Sequence, residues 1–200
     1  MSRIDETLND DRRHFLRAML AGGSLLAIGG GVLGSRLHAA ASRPTDVPGN
    51  VLLEIFGDDG RDLGAREVPR LVLTEDQWRR RLSPAAYYQM RLADTEQPFT
   101  GKYWNFYGRG IFRCAACATA LYDAGTKFHS GTGWPSFYQP IARRNIIETI
   151  DNSLGMSRIA VSCAGCDSHL GHVFNDGPAP TGLRFCMNSP ALRFVPYATA

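Results

Sequence analysis

Five cysteines stand in this 200-residue chain, and their spacing separates them by chemistry. Cys114-Ala-Ala-Cys117 and Cys163-Ala-Gly-Cys166 form two C-x-x-C pairs. Two intervening residues let one tight turn offer both sulfurs to one metal, and four thiolates at about 2.3 Å around a tetrahedral ion make a structural zinc site. The 45 residues from Ala118 to Ser162 separate the pairs, more than the roughly 15–20 of a local ribbon. Zinc is therefore expected to clamp two distant hairpins of one domain. Glycine follows neither pair; Ala118 and Asp167 stand there instead. The competing reading is two disulfides or redox-active pairs, which an oxidising compartment favours. A redox pair opens a helix, and no helical pattern follows either one.

Cys186 stands apart, in Leu183-Arg184-Phe185-Cys186-Met187-Asn188. As a strand, this segment puts Arg184, Cys186 and Asn188 on one face and turns Phe185 and Met187 to the core. An ordinary thiol, with a pKa of about 8.5, is only about 3% thiolate at pH 7. A neighbouring cation, Arg184 or a protonated histidine, raises that share. A buried, inert cysteine is the commoner fate, but polar partners two residues to either side favour a reactive one. His169 and His172 lie just after Cys166. Four thiolates already fill a zinc shell, and Asp176-Gly177-Pro178 turns the chain back toward Cys186. One or both imidazoles can then handle protons around the thiol; two satisfied histidines are the plain alternative. In Gly131-Thr132-Gly133-Trp134-Pro135-Ser136-Phe137, the proline pushes Trp134 toward extended geometry. Trp134 can wall a small apolar pocket, such as one for a methyl group, or simply fill the core.

These residues need a scaffold of short strands. From Gly101 onward, turn residues separate short aromatic and β-branched runs: Tyr103–Tyr107, Ile111–Arg113, Ile146–Ile150, Ile159–Ser162, Leu183–Asn188 and Ala191–Val195. Such spacing predicts an antiparallel β domain, and no crossover-length helix separates the runs, which disfavours a parallel sheet. Before them, Thr74-Glu-Asp-Gln77 has capping-box spacing for a helix over about 75–82. Ser83-Pro84 starts a second helix running to Ala93. Ser42–Asn50 reads as a linker and Val51–Phe56 as a short strand.

Longer motifs carry a resemblance. Phe128-His-Ser-Gly-Thr-Gly-Trp-Pro-Ser-Phe137, Cys166-Asp-Ser-His-Leu-Gly-His-Val-Phe174 and Arg184-Phe-Cys-Met-Asn-Ser189 resemble the motifs of methionine-R-sulfoxide reductases, the B-type peptide-methionine sulfoxide reductases. Gln97-Pro-Phe-Thr-Gly-Lys-Tyr-Trp104 and Leu154-Gly-Met156 also match. The resemblance spans about residues 71–200 and implies a mainly β fold, two small antiparallel sheets preceded by short helices. It implies Cys186 as the nucleophile and His169, His172, Asp176, Arg184 and Asn188 as the residues that shape and polarise the site. Trp134 and Phe174 would hold the substrate, and Cys114, Cys117, Cys163 and Cys166 the zinc of the metal-containing branch. The partners implied are oxidised proteins or peptides and a thioredoxin-like or other thiol reductant. Many family members carry a resolving cysteine where this chain has Thr132, so an external thiol is expected to reduce the Cys186 sulfenic acid directly. The rival functions are a zinc-stabilised peptide-binding module and a periplasmic disulfide oxidoreductase.

The chain's start reads as an address. Arg12-Arg13 with Phe15-Leu16 resembles a twin-arginine signal. Ala18–Gly34 is uncharged but carries six glycines, and His38-Ala39-Ala40-Ala41 suits a signal peptidase. A spanning anchor wants about 20 mostly apolar residues, so residues 1–41 are expected to be an export signal, engaged by the export machinery and cleaved near Ala39–Ala41. Residues 42–70 then form a linker and extension, 71–200 the reductase domain, and the periplasm is the expected location. With Lys plus Arg at 22, Asp plus Glu at 19 and a net charge of +3, no nucleic-acid partner is expected.

Overall fold

In the computed structural model, residues 48–198 are described; the export segment expected over 1–41 lies outside the described residues. Helix α1 (Glu75–Arg81) begins with the expected reciprocal cap. The Thr74 hydroxyl accepts from the Gln77 N–H, and the Gln77 side chain accepts from the Thr74 N–H. Helix α2 (Pro84–Leu92) is capped by Ser83 and carries its proline at the first turn, where no N–H is missed. Trp78 from α1, and Ala86, Tyr87 and Met90 from α2, turn inward.

The strands build antiparallel sheets, as the runs predict. Strands β3 (Gly110–Cys114), β4 (Ala120–Asp123) and β11 (Leu192–Pro196) form one sheet in the order β11-β3-β4. A second holds β5 (Lys127–Phe128), β6 (Ser136–Phe137), β7 (Ile146–Asp151), β8 (Arg158–Cys163), β9 (His169–Phe174) and β10 (Arg184–Met187). Its order is β5-β6-β10-β9-β8-β7, so β10 is an inner strand and β7 an edge. Phe112 and Tyr122 from the first sheet meet Phe137, Phe185 and Met187 from the second in one buried cluster. The Tyr122 and Phe137 rings stack at 4.4 Å, and the Tyr122 hydroxyl donates to Met187 Sδ at 3.1 Å.

Two elements differ from the expectation. A third, two-stranded sheet stands ahead of the helices: β1 (Asn50–Phe56) pairs with β2 (Asp62–Pro69), where the sequence offered only a strand at Val51–Phe56. The fully buried Asn145 amide ties it to the body, donating to the carbonyls of Glu54 and Ala120 and accepting from the Glu54 N–H. The aromatic run Tyr103–Tyr107 forms turns rather than a strand. Its apolar surface serves packing instead: Tyr103 lies edge-on to both Phe106 and Phe112.

Candidate active site and metal centre

Two hairpins bring the four paired cysteines together. Cys114 ends β3 and Cys163 ends β8, and the two turns share the same pair of backbone hydrogen bonds. The N–H of Ala118 donates to the Cys114 carbonyl and that of Asp167 to the Cys163 carbonyl. The N–H groups of Cys114 and Cys163 donate in turn to Thr119 and Ser168. Ala118 (φ 64°) and Asp167 (φ 55°) both hold the left-handed conformation, the place where glycine is usual and this sequence has none.

The Sγ atoms of Cys114 and Cys166 lie 3.6 Å apart, those of Cys117 and Cys163 3.5 Å apart, and all four lie within 4.8 Å of one another. A disulfide would need about 2.05 Å. A tetrahedron with metal–sulfur bonds of about 2.3 Å has edges of about 3.8 Å. The donor set fits one tetrahedral, thiophilic ion, and the two pairs form one cluster rather than two redox couples. Segments ahead of the sheets brace both turns. Arg81 of α1 donates to the Ala116 carbonyl, Arg91 of α2 to the Cys166 carbonyl, and Arg70 meets the Asp167 carboxylate at 2.6 Å.

The fifth cysteine lies on a different surface. Phe185 and Met187 are fully buried, as expected, so Arg184 and Cys186 occupy the opposite face of the sheet. Cross-strand register fills in that face. Cys186 stands opposite His172 on β9 and Ser136 on β6, and Arg184 stands opposite Phe174. Ala160 on β8 lies opposite His172 on its other side. Gly171 allows this close pairing: a Cβ there would fall 2.1 Å from the Cys186 carbonyl oxygen.

The Arg184 guanidinium makes two parallel hydrogen bonds to Asp176, at 2.9 and 2.8 Å, and lies 4.4 Å from the Phe174 ring centre. That fork holds Asp176 below the usual carboxylate range. Burial pushes the Cys186 thiol up; the Arg184 charge and hydrogen bonding to Thr132 and Arg184 pull it down without cancelling burial. The expected help from Arg184 is therefore present in direction, but it does not make a resting thiolate. Burial likewise pushes His172 down, opposed in part by Asp151, whose carboxylate lies 2.8 Å from Nε2. At neutral pH the resting pair is a neutral thiol and a neutral imidazole.

His169 is buried at the start of the same strand, its ring centre 5.2 Å from that of His172. Trp134 precedes the β6 residue opposite Cys186 by two positions, and its indole N–H donates to the Glu96 carbonyl. Asn188 follows β10 and faces backbone: its amide donates to the Leu170 carbonyl and its oxygen accepts from the Glu96 N–H. It thereby fastens the loop that holds Trp134.

Sequence reasoning missed three groups. Asp151 closes β7 and reaches His172; no spacing signal links residues 21 apart on non-adjacent strands. Glu96 is buried, accepts from the Ser189 N–H, and is pushed up by burial. Ser130 bridges Thr132 and Ser136 at 2.8 Å each, a hydroxyl cluster beside the thiol. A groove of about 1100 Å³ also opens next to His172, lined by Tyr88, Leu92, Ile147 and Ile150 as well as by Asp151 and Arg158.

Comparison with known proteins adds a family. Residues 82–196 match the SelR domain. The chain is 54% identical over 123 residues to the peptide methionine sulfoxide reductase MsrB of Pseudomonas putida (strain W619), covering 62% of this chain and 92% of that protein. It is 50% identical over 123 residues to the protein of that name in Thiobacillus denitrificans, covering 62% and 93%. It is 52% identical over 122 residues to the chloroplastic peptide methionine sulfoxide reductase B1 of Arabidopsis thaliana, covering 60% of each.

Proposed function

The chain belongs to the SelR domain family, and from that premise we propose that it is an oxidoreductase that reduces methionine sulfoxide, of the R configuration, in peptides and proteins. One observation carries the reading. A single cysteine shares a sheet face with an imidazole and a guanidinium–carboxylate pair, while the other four gather in a separate buried cluster.

The chemistry balances on those groups. The Cys186 thiol gives its proton to His172 and its sulfur attacks the sulfoxide sulfur. Oxygen passes from the methionine sulfur to Cys186, leaving methionine and a sulfenic acid that bears the proton. The thiol sulfur is oxidised by two electrons and the sulfoxide reduced by two. Two equivalents of an external thiol then restore Cys186, releasing water and a disulfide. The buried neutral thiol suits this order, since it remains protonated until substrate and base are in place. Arg184 and Asp176 hold the polar wall of the site, and Trp134 and Phe174 offer apolar surface to the substrate methyl group.

Cys114, Cys117, Cys163 and Cys166 would hold zinc, which supplies a structural cross-link and no step of the reaction. Residues 1–41 would export the protein to the periplasm through the twin-arginine route, and folded export would let the metal enter beforehand. Turnover of each sulfoxide epimer with a dithiol reductant tests the activity. The R epimer is expected to be consumed and the S epimer left; consumption of neither would leave the peptide-binding module as the better reading. Cell fractionation and N-terminal sequencing of the mature protein test the export.

A further inference from the structure

We propose that Asp151 is the positioning residue of His172, fixing which ring nitrogen exchanges protons with the reaction. The inference rests on the reductase reading and adds a residue to it. Asp151 closes β7, two strands from β9, yet its Oδ2 lies 2.8 Å from His172 Nε2. The side chain between them on that face belongs to Ala160, which stands opposite His172 and is too short to block the approach. The carboxylate is itself held. Oδ1 accepts from the Ser153 N–H at 2.9 Å, and Oδ2 accepts from Arg158 at 2.7 Å.

A carboxylate with these donors stays ionised and can only accept. Nε2 must therefore carry the hydrogen. In the neutral ring this leaves Nδ1 with the lone pair, the one atom able to take the thiol proton or return it. An aspartate that holds an imidazole in its working tautomer serves a proton-transfer site without touching substrate. It also balances charge. The Arg158 charge on β8 bears on the ring and disfavours its protonation, while Arg184 on β10 stands opposite Phe174 and is held by Asp176. His169 adjoins it on its own strand, and Asp94 and Asp167 line the same groove. Asp151 is the carboxylate in direct contact with the ring, so without it the Arg158 guanidinium opposes the imidazolium.

Two readouts test the proposal on the full-length protein. Asp151→Asn removes the charge and keeps one oxygen for the Ser153 N–H, while its amide nitrogen takes the place of the oxygen that meets His172, so the turn and fold should persist. The His172 titration, assigned by comparison with His172→Gln, should move to lower pH by half a unit or more. The acidic limb of the kcat profile should follow it to lower pH, because His172 must be neutral to take the thiol proton, with KM within twofold of the parent. In the parent protein, nitrogen chemical shifts of neutral His172 should report hydrogen on Nε2. In Asp151→Ala they should report a mixture, with kcat down tenfold or more, and Asp151→Glu should recover part of the loss. An Nδ1-protonated ring in the parent, or an unshifted titration in Asp151→Asn, would overturn the proposal. Absence of parent turnover would instead sink the reductase reading, while the tautomer measurement would still decide the role of Asp151.

Discussion

At the scale of single residues, the site sets a buried thiol against the groups that must activate it. Burial raises the Cys186 thiol while Arg184 and Thr132 lower it, so alkylation of the free protein should be slow at pH 7 and rise steadily above pH 8. One equivalent of substrate without reductant should leave Cys186 as a sulfenic acid that dimedone traps, and Cys186→Ser should give neither turnover nor adduct while melting as the parent does. Peptide mapping checks both. A Cys186 bridged to one of the clustered cysteines would show that the metal site resolves the intermediate. Thr132 bears on the same point, since its hydroxyl lies close enough to help pull the thiol pKa down. Thr132→Cys places a second sulfur where a bridge needs Cα atoms about 4.4–6.8 Å apart. Its expected product after one turnover is a 132–186 disulfide, which a thioredoxin-like donor should reduce by exchange. Failure to form it would mean that the two side chains diverge.

The elements repay comparison with the sequence one by one. Helix starts were legible at Thr74 and Ser83 because capping is a local rule. The face of β10 was legible because alternation is local too. Strands β5 and β6 were not, having two residues each, and neither was β2, whose mostly exposed residues show no apolar rhythm. Strand β9 was read for its histidines rather than its geometry. Asp151 and Glu96 could not be read at all, because their partners are set by register and long-range packing.

The twin turns of the cysteine cluster yield an element-scale prediction. Ala118 pays for its left-handed backbone with about 1 kcal/mol, which glycine removes at a similar entropic cost. Ala118→Gly should therefore leave the melting temperature unchanged or slightly raised. Asp167→Gly occupies the equivalent place but removes the buried carboxylate that meets the half-buried Arg70 at 2.6 Å. Breaking such a pair costs about 3 kcal/mol, or on the order of 6–12 °C for a domain of this size. Equal calorimetric shifts for the two variants would refute the argument.

For the whole molecule, the cysteine cluster joins the three-stranded sheet to the six-stranded one, since β3 and β8 each end in it. Structural zinc contributes on the order of 10–16 kcal/mol in small metal-folded peptides, as much as the roughly 5–15 kcal/mol that holds a typical domain folded. Cys117→Ser or Cys166→Ser should lose the metal and melt far below the parent. Metal analysis beside a thermal melt checks this; full activity at an unchanged melting temperature would remove zinc from the fold.

The place of the strands in the six-stranded sheet bears on how the enzyme fails. Amide protons of β10, enclosed between β6 and β9, exchange with solvent only when the sheet opens as a unit, whereas the end of edge strand β7 frays at small cost. The proposed nucleophile thus belongs to the most persistent part of the molecule and the proposed anchor of its proton carrier to one of the least. On warming, the edge loosens first, and turnover fades in a protein that is still folded.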